Sequence, residues 1–260
     1  SLALASYYSY NLNHLTTRDL TGFITETPNF KIYDSVGNLN WEENGITYRS
    51  LGLSDPNPLA FLKRLYDGQF QDLNNSLNIR YTIFPGLYLK ADIGYNLVYG
   101  NEVSKTPGAS IDKYSTGLPY SYFALSDQKN WIIEPQIEYR KQLKEDKIEL
   151  LIGNTLLGNI NNSLTSTGTN YTNDLLLGSI GGAGNVTTSN TYSLYHYIAM
   201  FARINLIHRE KYIFNLSGSR DGSSRYGRNR QFAEFGSLGA AWIFSKEHYS
   251  QRIPALSFGQ

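Results

Sequence analysis

The chain has 260 residues, and 23 Lys+Arg against 22 Asp+Glu leave a formal charge of +1, too balanced to draw it to nucleic acid. Tyrosine occurs 21 times, phenylalanine 12 and glycine 23, against one methionine, a balance that suits strands and turns over helices. The lack of cysteine excludes disulfides and thiolate metal sites, and no apolar run approaches the ~18 residues of a spanning helix.

In chain order, residues 1–10 read as a strand and 11–69 as a long polar excursion. Leu73, Leu77, Ile79 and Tyr81 then alternate with Asn74, Ser76, Asn78 and Arg80, the two-residue period of a strand with unlike faces. Phe84, Pro85 and Gly86 make a tight turn. The next strand sets Leu87, Leu89, Ala91, Ile93, Tyr95 and Leu97 against Lys90, Asp92, Gly94 and Asn96. After a long loop over 101–130, Trp131, Ile133, Ile137 and Tyr139 alternate with Glu134, Gln136, Glu138 and Arg140. A short charged turn near 142–146 leads to Ile148, Leu150 and Ile152. A third long stretch, 158–194, contains the glycine-rich run 178–184, read as a flexible external loop because it lacks the Lys-Ser/Thr ending of a phosphate loop. Ile198 to Leu206, a charged turn at 208–211, and Tyr212, Phe214 and Leu216 form the last hairpin, with Arg203 and Asn205 on its polar face. Phe232, Leu238, Ala240 and Trp242 complete a final strand beyond a loop at 222–231.

About eight strands result, most of them long enough to cross hydrocarbon at a tilt, and their connections alternate strictly between short and long. Outer-membrane barrels keep this order, with tight turns on one side and long loops on the other, and aromatic residues near the strand ends fit interfacial girdles. The fold expected is all-β, a transmembrane antiparallel barrel segment. The alternative weighed is a surface glycan-binding β-sandwich, whose apolar faces would meet each other.

Asn215 to Ser245 reads NLSGSRDGSSRYGRNRQFAEFGSLGAAWIFS and resembles a signature of the SusC/RagA family of TonB-linked outer-membrane transporters. Arg220, Asp221, Gly222, Ser223, Ser224, Arg225 and Gly227 fall on it, as do Phe235, Ser237, Ala241 and Trp242; Tyr226 and Gly236 replace the usual phenylalanine and proline. Asn57 to Ala60, the segment from Tyr33 to Trp41, and Gly86 to Lys90 with Gly94, Tyr95 and Asn96 also look like that family's barrel. The resemblance implies a barrel of about 22 strands, of which this chain is an internal part lacking the signal peptide, plug domain and C-terminal strands. It implies uptake of oligosaccharides or peptides at the bacterial outer membrane, a SusD-like lipoprotein lid, contact with membrane lipid, and drive from the TonB complex through an N-terminal region outside this chain.

Alternation nominates Arg80, Lys90, Asp92, Glu134, Gln136, Glu138, Arg140, Arg203 and Asn205 as lumen-facing, most of them engaged in pairing across the wall. Histidines 14, 196, 208 and 248 share no metal-ligand spacing, so neither metal nor cofactor is expected. Ser223 and Ser224 beside Asp221 lack a nucleophile-elbow pattern; no enzyme is expected. Asp221, Ser223 and Gly222 read as a turn at the barrel rim, with Arg220 and Arg225 bonding carboxylates.

Overall fold

A computed structural model of the chain describes residues 1–16, 30–51 and 57–247. Eight long strands form one antiparallel sheet: β1 (Leu2–Thr16), β4 (Leu65–Phe84), β5 (Leu87–Thr106), β6 (Tyr120–Leu143), β7 (Asp146–Tyr171), β8 (Ala183–His208), β9 (Tyr212–Ser223) and β10 (Phe232–Trp242). They lie in that sequential order, a meander with β1 and β10 at its two edges. The sheet is not closed. A separate two-stranded ribbon, β2 (Glu42–Glu43) with β3 (Ile46–Thr47), sits in the first long connection.

Each short turn has a local cause. Pro85 and Gly86 join β4 to β5, with Gly86 at φ +97°, the arrangement of a Pro-Gly type II turn. A Cβ on Gly86 would strike the carbonyl of Arg140, so the glycine is demanded by space as well as by φ. Arg209 and Glu210, both at positive φ, join β8 to β9 as the type I′ geometry requires. Lys144 at φ 47° turns β6 into β7.

The sheet has no second layer among the described residues. The accessible surface is 17400 Å², against roughly 11,500 Å² for a compact monomer of this mass. Large apolar side chains such as Leu238, Met200 and Ile152 stand exposed along it. The facing apolar surfaces of a sandwich are therefore not formed.

Register assigns every strand residue to a face. On one face the stretches 87–95, 131–139, 148–156 and 198–206 of β5 to β8 carry Leu, Ile, Met, Ala, Pro and aromatic side chains, with Asn154 as a polar exception. Each stretch spans nine residues, the lower end of the roughly 9–11 that a tilted strand needs to cross hydrocarbon. The band has polar borders. Lys129 and Asp127 follow Trp131 on the same face of β6, and Arg220 and Glu234 pair on β9 and β10.

The strands run well past that band. β6, β7 and β8 have 24, 26 and 26 residues, about 80 Å each. The loops expected over 101–130 and 158–194 are thus largely strand, and those connections shrink to 107–119 and 172–182, while the loop expected at 222–231 is found at 224–231. In 159–170 and 184–193 Ser, Thr and Asn occupy both faces, so the apolar period disappears while the backbone ladder continues. The glycine-rich run, expected as an open flexible loop, lies in two short 3-10 turns and the start of β8. Leu177 is 2% exposed there, and Ser121 Oγ donates to its carbonyl at 2.6 Å, which closes the loop onto the sheet.

Candidate functional site

The nine nominated polar residues share one face, opposite the apolar band. Pairing carries Arg80 to Lys90 to Gln136, Asn78 to Asp92 to Glu134, and Asn205 to Glu149. Lys90 and Arg140 both bind the Glu138 carboxylate, which is only 6% exposed. Asn78 Nδ2 donates to Asp92 at 2.6 Å, Thr155 Oγ1 to Glu134 at 2.8 Å, and Asn205 Nδ2 to Glu149 at 3.1 Å. Arg80 lies 4.2 Å from the Tyr88 ring centroid, and Gln136 packs beside Gly153. Arg203 makes no hydrogen bond or ion pair among the described residues.

Above this charged zone runs a feature that composition did not disclose. Asn74, Asn96, Asn130 and Asn159 occupy one register row across β4 to β7. Asn161 Nδ2 donates to Asn159 at 2.7 Å, Asn159 to Asn130, Asn130 to Asn96 at 2.9 Å, and Asn96 to Asn74 at 2.7 Å. Asn74 and Asn96 both donate to Asp72, at 2.8 and 2.9 Å. Every amide is oriented alike, a rail whose members polarise one another. Alternation places Asn74 and Asn96 on the polar face, whereas Asn130, Asn159 and Asn161 fall in stretches read as loops, and only the pairing register aligns them.

The apolar face ends in a matching row, Asn75, Tyr95, Trp131, Gly158 and His196. The Trp131 indole covers Gly158, where a Cβ would collide with it, and lies 6.4 Å from His196. At the opposite border Tyr212 stacks on Trp242 at 6.4 Å.

The motif 220–227 departs from its expected form. Arg220 to Ser223 belong to β9, and the turn starts only at Ser224. Gly222 does not have positive φ; it is needed because a Cβ there would strike the Phe232 ring and Ile198. Arg220 is on the apolar face, stacked 5.0 Å over Phe232 and 3.9 Å from Glu234, while Asp221 is on the polar face, hydrogen-bonded to Tyr197. Arg225 stacks 4.5 Å over Tyr195 and pairs with no carboxylate among the described residues. In β geometry successive residues point to opposite faces, which separates Arg220 from its neighbour Asp221. Ser224 Oγ accepts from His196 N at 2.9 Å and Ser224 N donates to His196 O at 3.0 Å, fastening the turn to β8. Ser223 Oγ accepts from Arg225 N, and Gly227 O from Arg230 N at 2.8 Å.

The long connections interlock into a cap. Leu39, Trp41 and Ala60 form its core. Buried Asn57 caps the 3-10 helix Pro58–Lys63 through Leu59 N and donates to Ile32 O at 2.7 Å and Asn40 O at 3.0 Å. Arg64 donates to Ser110 O at 3.2 Å, Arg49 pairs with Asp112 at 3.4 Å, and Asp174 receives Gly108 N at 2.9 Å. A hydrogen bond from Tyr114, then Lys113, holds the Glu42 carboxyl below its usual range. His14 and His208 each meet one aspartate, Asp67 at 2.5 Å and Asp146 at 2.6 Å, and His248 lies outside the described residues. Among the described residues no group of three or more His, Cys, Asp or Glu is placed to hold a metal ion.

No family model matches the chain. It is 26% identical over 230 residues to TonB-dependent receptor P3 of Formosa agariphila, covering 85% of this chain and 22% of that protein. TonB-dependent receptor P26 of the same organism is 27% identical over 128 residues. In solved structures, the RagAB peptide importer in its open-open state matches with a TM-score of 0.67 at 17% identity over 95% of this chain and 28% of the matched one. The RagAB peptide transporter matches at 0.65 and 18% identity over 84% and 24%. The chain resembles TonB-dependent receptors in sequence and a stretch of a SusC/RagA-type barrel in fold. Its open eight-stranded sheet corresponds to part of a RagA-like barrel, and it spans less than a quarter of the length of the curated relative P3.

Proposed function

We propose that this segment forms part of the wall of an outer-membrane TonB-dependent transporter that takes up large nutrients, oligosaccharides or peptides, with a SusD-like lipoprotein as its lid. The observation that carries this reading is the apolar band, nine residues in each of β5 to β8 and aromatic at both borders, opposite the face that holds the charged and amide side chains. Such a sheet is stable only where one side meets lipid and the other an enclosed wet interior. The TonB-dependent receptor relatives support TonB as the source of drive, and the RagAB importer likeness supports a lidded, cargo-carrying barrel. Unpaired strand edges cannot face hydrocarbon, so β1 and β10 pair with further strands, in a barrel of about 22.

In this reading Arg80, Lys90, Asp92, Glu134, Gln136, Glu138, Arg140, Arg203 and Asn205 face the lumen, and the interlocked cap lies on the outside of the cell. The motif 220–227 stands where the apolar band gives way to that outer zone, as a strand-end clamp with no chemical step. Single cysteines at Ile93, Ile204 and Leu216 should react with a bilayer-soluble maleimide in intact cells, and those at Asp92, Arg203 and Ser217 only with a water-soluble one. The reverse pattern would place the sheet inside out and end the proposal.

A further inference from the structure

On the polar face almost every nominated charged residue has a partner, an opposite charge, a hydrogen-bond donor or an aromatic ring. Lys90 and Arg140 share Glu138, Lys147 holds Glu149 at 2.8 Å, and Arg80 rests on Tyr88. Arg203 is the exception among the charged residues nominated there. The carboxylate nearest to it along β7, Glu149, is already engaged by Lys147 and by Asn205 at 3.1 Å. Beside Arg203 lies a recess of about 440 Å³ lined by Phe201, Ser217, Ser219, Phe235 and Ser237. The three serines follow from register: Arg203 pairs with Ser217, which pairs with Ser237, while Phe201 pairs with Ser219 and then Phe235. Ser217 and Ser237 bond to each other at 2.7 Å, which leaves one of the two hydroxyl hydrogens free to point into the recess, and Ser219 has its own. A guanidinium fork, spare hydroxyl donors and two phenyl walls make up a receptor for a planar anion on an apolar stem.

We propose that Arg203, with Ser217, Ser219 and Ser237, is a carboxylate-binding cradle on the wall, and that the transported cargo carries a carboxylate that docks there. The proposal rests on the transport reading given above. A carboxylate fits better than a compact phosphate, because the fork meets two coplanar oxygens and the phenyl rings of Phe201 and Phe235 contact the flat stem behind them. An acidic peptide side chain and a uronate sugar present the same group, and the two sources are separated by experiment.

The complete transporter, purified in detergent, is titrated by calorimetry with acetyl-Ala-Glu-Ala-amide and its Gln counterpart, and with a glucuronate disaccharide and its amide. The cradle predicts that at least one acid binds on the order of tenfold tighter than its amide, the range of a charge-assisted pair. That preference should vanish in Arg203→Gln and drop in Ser219→Ala. In Arg203→Lys, which keeps the charge and loses the fork, most of the preference should also be lost. The pair that shows it identifies the source. Equal binding of acid and amide by the wild type overturns the cradle. So does a fall in the heat-modifiability temperature of Arg203→Gln, which would show that Arg203 serves a carboxylate of the protein itself. Binding is read without transport, so intact acid preference combined with unimpaired nutrient uptake in a deletion strain would sink the transport reading and leave the cradle standing.

Discussion

Ala202 lies on the apolar face of β8 between Met200 and Ile204, four residues from either end of the stretch 198–206. At ~3.3 Å per residue that is about 13 Å along the strand, or about 10 Å of depth for a strand tilted by ~40°. Arginine at 202 would therefore sit near the middle of the hydrocarbon, where it costs ~2–4 kcal/mol. His196 is six residues away on the same face, about 20 Å along the strand and ~15 Å in depth. There it reaches the border row beside Trp131, and arginine should cost only ~0–1 kcal/mol. The assay is urea unfolding of the complete transporter folded into phosphatidylcholine vesicles, followed by tryptophan emission, with Ala202→Leu as a control for volume. Ala202→Arg should lower the unfolding free energy by ~2–4 kcal/mol and His196→Arg by less than ~1. Equal penalties at the two sites, or a larger one at 196, would refute the assignment of the band to lipid.

Two further outcomes test the cap and the turn-side rim. Asn57→Ala removes donors from the carbonyls of Ile32 and Asn40 and the acceptor for Leu59 N, a loss of ~1–3 kcal/mol for unsatisfied buried groups. Amide exchange at Leu39 and Trp41 should accelerate by one to two orders of magnitude, while the amides of 198–206 stay unchanged. The Glu247 carboxyl is held below its ordinary value of 4.5 by hydrogen bonds from Lys211, Tyr212 and Trp242. Its contribution to the rim is therefore complete above about pH 4.5 and disappears as pH falls through the lower folded value. Trp242 emission should change across that acid range in the wild type and stay flat in Glu247→Gln; an identical titration in both would dismiss the linkage.

The sequence exposes the membrane-crossing part of each strand because lipid on one side and water on the other force a period of two, plain in Leu87 to Leu97 and in Trp131 to Tyr139. Pro85-Gly86 announces its own turn. The outer halves of β6, β7 and β8 escape the same reading because water bathes both of their faces, so Thr165, Ser166 and Thr167 follow no period and resemble a loop. Gly222 misleads for a related reason: glycine suggests a turn, but here it makes room for Phe232. That the nine nominated polar residues share one face was legible from alternation alone. Their partners were not, since the bonds of Glu138 to Lys90 and of Thr155 to Glu134 depend on which residues the register sets side by side.

The excess length of the strands shapes what a solute meets first. With nine residues in the apolar band and up to 26 in the strand, β7 and β8 rise some 40 to 50 Å along their axes beyond that band. In the proposed barrel the mouth is thus displaced outward into a tall stiff-walled chimney, latched at its top by Asp174 and Arg64. On the transport reading proposed above, a molecule arriving from outside is confined sideways long before it reaches the level of the lipid headgroups, and along β7 and β8 its first stretch of travel is past hydroxyls and amides, with the charged zone lying deeper.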